Sequence, residues 1–234
     1  MLLWNLNLLR DDPAFFTLLI GLTAGALLLA ISVHEFSHAL AATALGDNTA
    51  RRLGRLSLCP SRHLDPVGTL MLLLVGFGWG KPVPVNPYLL RKGPRAGMAL
   101  VAAAGPLSNI ALAAVVALPI HLGLLDWRSP LDVNPFGVHT ARAMLSDVAA
   151  YVFLYNCFLA AFNLLPISPL DGFRVLTGVL PRDMAMSLAR TEQYGFAILM
   201  GVVALDWFTG AGIIWHAMRA VIDVLGVILL GQRL

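Results

Sequence analysis

Charge is scarce in this chain: Asp, Glu, Lys and Arg make up 12% of its 234 residues, where an ordinary soluble domain carries about 25%. With 58% hydrophobic residues and a mean hydropathy of +0.78, that scarcity excludes a soluble globular domain and places the chain in a membrane. Cysteine is scarcer still. Cys59 lies in a basic loop and Cys157 in an apolar run, which excludes a disulfide framework and a Cys-rich metal site and predicts two free thiols. The N-terminus lacks the basic region, short apolar core and small-residue cleavage site of a removable signal peptide, so the first apolar segment is expected to remain as an anchor. No internal repeat or low-complexity tract stands out. The formal charge of +3 comes from few Lys and Arg residues, and no nucleic-acid partner is expected.

Long apolar runs are abundant. Residues 14 to 45 form one after Arg10, Asp11, Asp12 and Pro13, with Pro13 placed near a helix start and Gly46-Asp47-Asn48 as a stop. At about 1.5 Å per residue it would be roughly 48 Å long, against a hydrocarbon core of about 30 Å, so the helix must tilt or protrude. Residues 51 to 63 follow as a basic loop. Residues 67 to 90 are apolar but interrupted by Gly76, Gly78, Gly80, Pro82, Pro84 and Pro87. This pattern predicts a re-entrant strand or hairpin lining something, because non-helical backbone at membrane depth needs cover from protein or a wet cavity. Further runs at 96 to 122, 143 to 165, 194 to 208 and 211 to 230 raise the expected number of spanning helices to about five. The expected fold is therefore an all-α polytopic membrane protein with a small re-entrant element. It forms one membrane-embedded domain over 1–234, with a catalytic core at about 14–180 and C-terminal helices at about 194–230.

If the spans alternate, the loops at 46 to 95 and 170 to 193 share one side. That side holds Arg51, Arg52, Arg55, Arg62, Lys81, Arg91, Lys92, Arg95, Arg174, Arg182 and Arg190, and the other only Arg10, Arg128 and Arg142. Positive charge collects on the cytoplasmic face of a membrane protein. The basic side is accordingly expected in the cytoplasm.

Inside the first run stands His34-Glu35-Phe36-Ser37-His38. A spacing of four puts both imidazoles on one helical face, one turn apart, where they can chelate one ion. Glu35 projects in a neighbouring direction, suited to taking a proton from the attacking water without being a ligand. Bound zinc brings the pKa of its water to about 7 and polarises a carbonyl, so peptide hydrolysis is the natural chemistry. Catalytic zinc takes three protein ligands, and a third is needed. Asp171 is the best candidate, because it follows an apolar helix that ends on the side of the histidines. Spacing alone does not select it over Asp65, which falls on the same side.

With HEFSH come Gly105-Pro106-Leu107-Ser108-Asn109 and Asn163-Leu164-Leu165-Pro166-Ile167-Ser168-Pro169-Leu170-Asp171-Gly172, in that order. In these motifs the chain resembles the site-2 proteases, membrane-embedded zinc metalloproteases. The stretches His63-Leu64-Asp65-Pro66 and Gly80-Lys81-Pro82-Val83-Pro84-Val85-Asn86-Pro87 resemble a small bacterial branch of that family. The resemblance covers about 30 to 180 and is weak in the last two helices. It implies Zn2+ as cofactor, Asp171 as third ligand beside His34 and His38, and Glu35 as general base. It also implies that Asn163 holds substrate or the developing oxyanion. The expected activity is intramembrane hydrolysis of transmembrane or membrane-proximal protein segments, for regulated proteolysis or clearance of membrane peptides. The expected setting is a bacterial inner membrane, multi-pass, with the active site toward the cytoplasm. Lipid surrounds such a chain, and a homodimer is compatible with it.

Plainer readings compete for each feature. An HExxH alone recurs by chance in helices, but two histidines and a glutamate within a span are costly unless a site stabilises them. Asp171 before Gly172 also suits a turn. Asn109 and Asn163 suit hydrogen bonding between helices, and Gly105 with Pro106 suits close helix packing. His63 and Asp65 fit a turn or interface better than a ligand set, and His121, His139 and His216 fit structural or solvated positions. Two rival functions remain on residues alone, a metal or proton transporter and a non-catalytic zinc-stabilised membrane adaptor.

Overall fold

The computed structural model describes residues 6–75, 78–130 and 140–233 of the chain. A short helix, α1 (Leu6–Asp11), turns into the long α2 (Pro13–Ala44) at a strong local start signal. Asp12 accepts the Phe15 N–H at 2.9 Å, and Pro13 occupies the first helical position, where its missing N–H costs nothing. The helix stops at Gly46, whose φ of 110° is open to glycine and strained for other residues. There follow α3 (Thr49–Arg52), α4 (Pro66–Val75), α5 (Pro94–His121), α6 (Ala141–Asn163), α7 (Asp171–Val179), α8 (Arg182–Ala189), α9 (Gly195–Thr209) and α10 (Ile213–Leu230).

Four helices among the described residues, α2, α5, α6 and α10, are long and apolar enough to cross a membrane. α5 packs against α2, α6, α7 and α10, and the contacts between spans are made largely by small side chains: Ala30, Ala39, Ala113, Ala117 and Ala160 are buried almost completely. Leu29, Leu40, Leu100, Leu107, Val115 and Leu118 point outward instead. Small residues inside and large apolar ones outside is the arrangement of a bundle solvated by lipid, where close backbone approach rather than water exclusion holds helices together.

Two expectations are corrected. Among the described residues there is no strand, only an isolated antiparallel bridge between Leu64 and Gly80, and the stretch expected as a re-entrant strand begins as the helix α4. Its Leu70-Met71-Leu72-Leu73-Leu74 run consists of strong helix formers with no β-branched residue, and Asp65 caps it by accepting the Gly68 N–H at 2.8 Å. Gly76 and Phe77 lie outside the described residues. Only the part from Gly80 onward is extended. It is pinned by the Lys81 N–H to the His63 carbonyl at 2.7 Å, by Arg55 donating to the Lys81 and Pro82 carbonyls, and by buried Asp47 accepting the Asn86 N–H at 2.7 Å.

The second correction concerns the expected fifth span. α9 has 15 residues, about 22 Å of helix, short of the roughly 30 Å of a hydrocarbon core. It starts with Gly195 against Ser168 and leads through Gly210–Gly212 into α10, whose first turns pack beside the end of α6. Ile214, Trp215 and Met218 join Phe158, Ala161, Phe162 and Leu165 in one cluster, while Leu225 lies farther along with Phe153, Ala113 and Ala117. α10 is therefore antiparallel to α6 and starts at the same level where α6 ends. α9 does not carry the chain to the far end of the bundle.

Candidate metal centre

α2 offers His34 and His38 from one face, 5% and 8% exposed, with their rings edge to face and centroids 4.6 Å apart. The second contribution comes from the far end of α6. After Asn163 the chain turns through residues 164–170 and re-enters as α7, whose first residue is Asp171. That return requires Gly172: a Cβ there would lie 2.2 Å from the Leu164 carbonyl oxygen. The third contribution is space. A Cβ on Gly105 of α5 would lie 2.5 Å from His38 Nε2 and 2.6 Å from His34 Cε1, so the glycine is the floor on which both imidazoles rest.

His34 Nε2 and His38 Nε2 are 3.0 Å apart and lie 3.0 and 3.1 Å from Asp171 Oδ2. Three donors held 2.0–2.1 Å from a tetrahedral ion would be separated by about 3.4 Å, so these atoms have already converged to within a few tenths of an ångström. Their hydrogen chemistry points the same way. His38 Nδ1 lies 2.7 Å from the Val101 carbonyl oxygen, which can only accept, so the ring donates from Nδ1 and, when neutral, presents its Nε2 as a bare lone pair. Despite the short separations, Asp171 Oδ2 is buried without a hydrogen-bond partner. Three lone-pair-bearing atoms converging this closely repel unless a proton or a metal cation joins them, and two imidazoles with one carboxylate are a zinc donor set. The residues present fit zinc.

A cavity of about 490 Å³ opens over this cluster, lined by Glu35, Trp79, Val83, Met98, Asn163 and Leu199 among others. Glu35 is half-buried beside the extended segment, its Oε1 3.7 Å from the position a Gly80 Cβ would take. Asn163 reaches the cavity with one amide hydrogen donated to the Leu159 carbonyl at 3.0 Å; an amide has a second. All five residues singled out for chemistry thus meet at one cavity. The alternatives do not. Asp65 caps α4, fully buried His63 bonds through Nε2 to the Ser57 carbonyl at 2.6 Å, His216 bonds to the carbonyl of Gly212 just before its own helix, and His139 lies outside the described residues. Sequence reading missed the metal-floor role of Gly105, the cavity position of Arg174, and Asn156. A polar residue two turns before Asn163 in an apolar helix was the available signal for the last.

The floor makes a prediction. Gly105→Ala should push the imidazoles off their present positions and weaken zinc by about 10-fold or more, the scale on which displaced ligand support is felt. Chelator competition on purified protein measures it, and unchanged affinity would contradict the tight contact.

The descriptive family model for peptidase family M50 matches residues 126–205. That stretch includes Asn163 and Asp171 and stops short of the histidines, which the fold joins to it. Across a longer span, the chain is 33% identical over 197 residues to the Bacillus subtilis protein named "Putative zinc metalloprotease YwhC", covering 83% of this chain and 84% of that one. It belongs to peptidase family M50, the site-2 protease family. The same descriptive name is carried by Rip2 of Mycobacterium tuberculosis, 30% identical over 78% of this M50 chain and 68% of Rip2. Rip2 of Mycolicibacterium smegmatis is 28% identical over 74% and 62%. No solved structure matches. This M50 peptidase is a zinc metalloprotease acting on protein substrates, and the four long apolar helices among its described residues make it a multi-pass integral membrane protein.

Proposed function

We propose that this M50 peptidase cuts peptide bonds within or beside the transmembrane segments of membrane proteins, using His34, His38 and Asp171 as zinc ligands and Glu35 as general base. The observation that carries this reading is the convergence of His34 Nε2 and His38 Nε2, both borne by a spanning helix, with Asp171 Oδ2 of α7, beneath a cavity that Glu35 also lines. A soluble protease has no reason to place its centre there.

Bound zinc supplies Lewis acidity, raising the acidity of water and polarising a scissile carbonyl. The chain's own residues supply the rest. Glu35 takes a proton from the attacking water and returns it to the leaving amine, a carboxylate's ordinary double role. Asn163 turns its remaining amide hydrogen toward the carbonyl oxygen as charge develops there. The extended stretch from Gly80 to Asn86, held from behind by His63, Arg55 and Asp47, supports presentation of unwound substrate as an added strand along the cavity wall. A helical substrate buries its own backbone bonds, so pairing of this kind offsets the cost of unwinding.

The whole of 1–234 acts as one membrane-embedded catalytic domain in this reading, in a bacterial cell membrane with the basic loop at 46 to 95 on the cytoplasmic side. Water then reaches the site from the cytoplasm. Release of a tethered signalling protein and clearance of leftover membrane peptides both use this reaction.

Reconstituted protein incubated with a panel of single-span membrane proteins, with fragments mapped by mass, tests the proposal. Cuts in or within a few residues of a span, stopped by a zinc chelator, are expected. Cuts confined to soluble regions far from any span would refute the intramembrane reading while leaving the peptidase intact.

A further inference from the structure

A chain of side-chain hydrogen bonds leads from His34 away from the cavity into the contact between α2, α5 and α6. His34 Nδ1 lies 2.7 Å from Asn109 Oδ1. Asn109 Nδ2 donates to the Ala30 carbonyl at 3.0 Å and to Asn156 Oδ1 at 2.8 Å. Asn156 Nδ2 in turn donates to the Val152 carbonyl at 2.8 Å. Both asparagines have no exposed surface.

The direction of every bond in this chain follows from its ends. Backbone carbonyls only accept, so Val152 requires the NH2 of Asn156 and leaves Asn156 Oδ1 facing Asn109. Ala30 and that oxygen both require hydrogens from Asn109, which uses both of its amide hydrogens and turns Asn109 Oδ1 toward His34. An amide oxygen has no hydrogen to give. His34 therefore donates from Nδ1, and in the neutral ring its Nε2 carries a bare lone pair on the side facing His38 and Asp171. A flipped Asn109 would set its oxygen against two other acceptors, the Ala30 carbonyl and Asn156 Oδ1.

We infer that Asn109 and Asn156 are positioning residues of the metal centre, fixing His34 in the Nδ1–H tautomer so that Nε2 is ready to bind zinc. This rests on the reading of His34 as a zinc ligand. The two histidines are held by different means. His38 is set by the Val101 main-chain carbonyl, beyond the reach of side-chain substitution, whereas His34 depends on two side chains from two other spans. Three helices that must meet for the asparagines to bond are the same three whose packing assembles the site, so correct assembly and the correct tautomer arrive together.

The test uses the full chain in detergent, with four variants: Asn109→Leu, Asn109→Asp, Asn156→Leu and His34→Ala. Zinc affinity is read by chelator competition, the His34 tautomer by imidazole 15N shifts of the metal-free protein, and folding by thermal melting. Asn109→Leu is expected to bind zinc about 10- to 100-fold more weakly, as losses of a ligand's hydrogen-bond partner do, with its His34 signals leaving the Nδ1–H pattern. Asn156→Leu should lose less, within about 10-fold, because Ala30 still biases Asn109. Asn109→Asp keeps an acceptor for Nδ1 and should bind zinc more tightly than Asn109→Leu. A purely packing role predicts the reverse order, since the aspartate buries a charge and gives up two donated bonds. Wild-type affinity and tautomer in Asn109→Leu, or in Asn156→Leu should the former not fold, would overturn the inference. Undiminished zinc binding by His34→Ala would instead overturn the ligand reading beneath it.

Discussion

Glu35→Gln is expected to bind zinc as the wild-type chain does and to cut substrate about 10²- to 10⁴-fold more slowly, the usual contribution of a positioned general base. Glutamine matches glutamate in size and still lines the cavity beside Gly80, so neither packing nor the His34, His38 and Asp171 cluster is disturbed. It cannot take up a proton at neutral pH, and the step that depends on transfer from water to the leaving amine is lost. The comparison needs single-turnover cleavage rates together with zinc content on the same preparations. Cutting within about 10-fold of the wild-type rate would remove Glu35 from the role, because that loss is smaller than any general base supplies.

Asp171→Ala is expected to have the opposite signature: zinc falls away and cleavage goes with it. Removing Oδ2 leaves two imidazole ligands where a catalytic zinc takes three protein donors. The affinity loss should exceed the 10- to 100-fold cost of an outer-shell change. The rest of the fold has little reason to suffer. Oδ2 makes no hydrogen bond that its removal would break, and the return of the chain into α7 is set by Gly172 against Leu164 rather than by the carboxylate. A melting temperature near wild type beside absent zinc is the expected pair of readings. Retained zinc would mean that the third ligand lies elsewhere.

How much of this was legible in the residues depends on the range of the interaction. Local signals carried well. Asp12 and Pro13 start α2 and Gly46 ends it where the sequence pattern places them, and the i, i+4 histidines share a face because the helix dictates it. Asp171 required more, because its approach to α2 is long-range. The side of the membrane narrowed the choice without separating it from Asp65, and the motif resemblance favoured it before the fold brought it to the histidines. Density of glycine and proline misled over 67–90, where Leu70 to Leu74 favour a helix and the breakers act only beyond them. The apolar content of α9 was read as a span, yet its length and the antiparallel packing of α10 on α6 make it a shorter element on the side of the site. The Asn109–Asn156 pair was the least legible, since its meaning depends on three helices meeting, and a polar residue in an apolar helix announces a partner without naming it.

Zinc K-edge absorption on the purified chain tests the central claim most directly. The account predicts one zinc per chain in a shell of nitrogen and oxygen at about 2.0–2.2 Å, with the outer-shell signature of two imidazoles. A sulfur neighbour at about 2.3 Å would point to Cys59 or Cys157, and a shell with no imidazole signature would remove His34 and His38; either result contradicts the account.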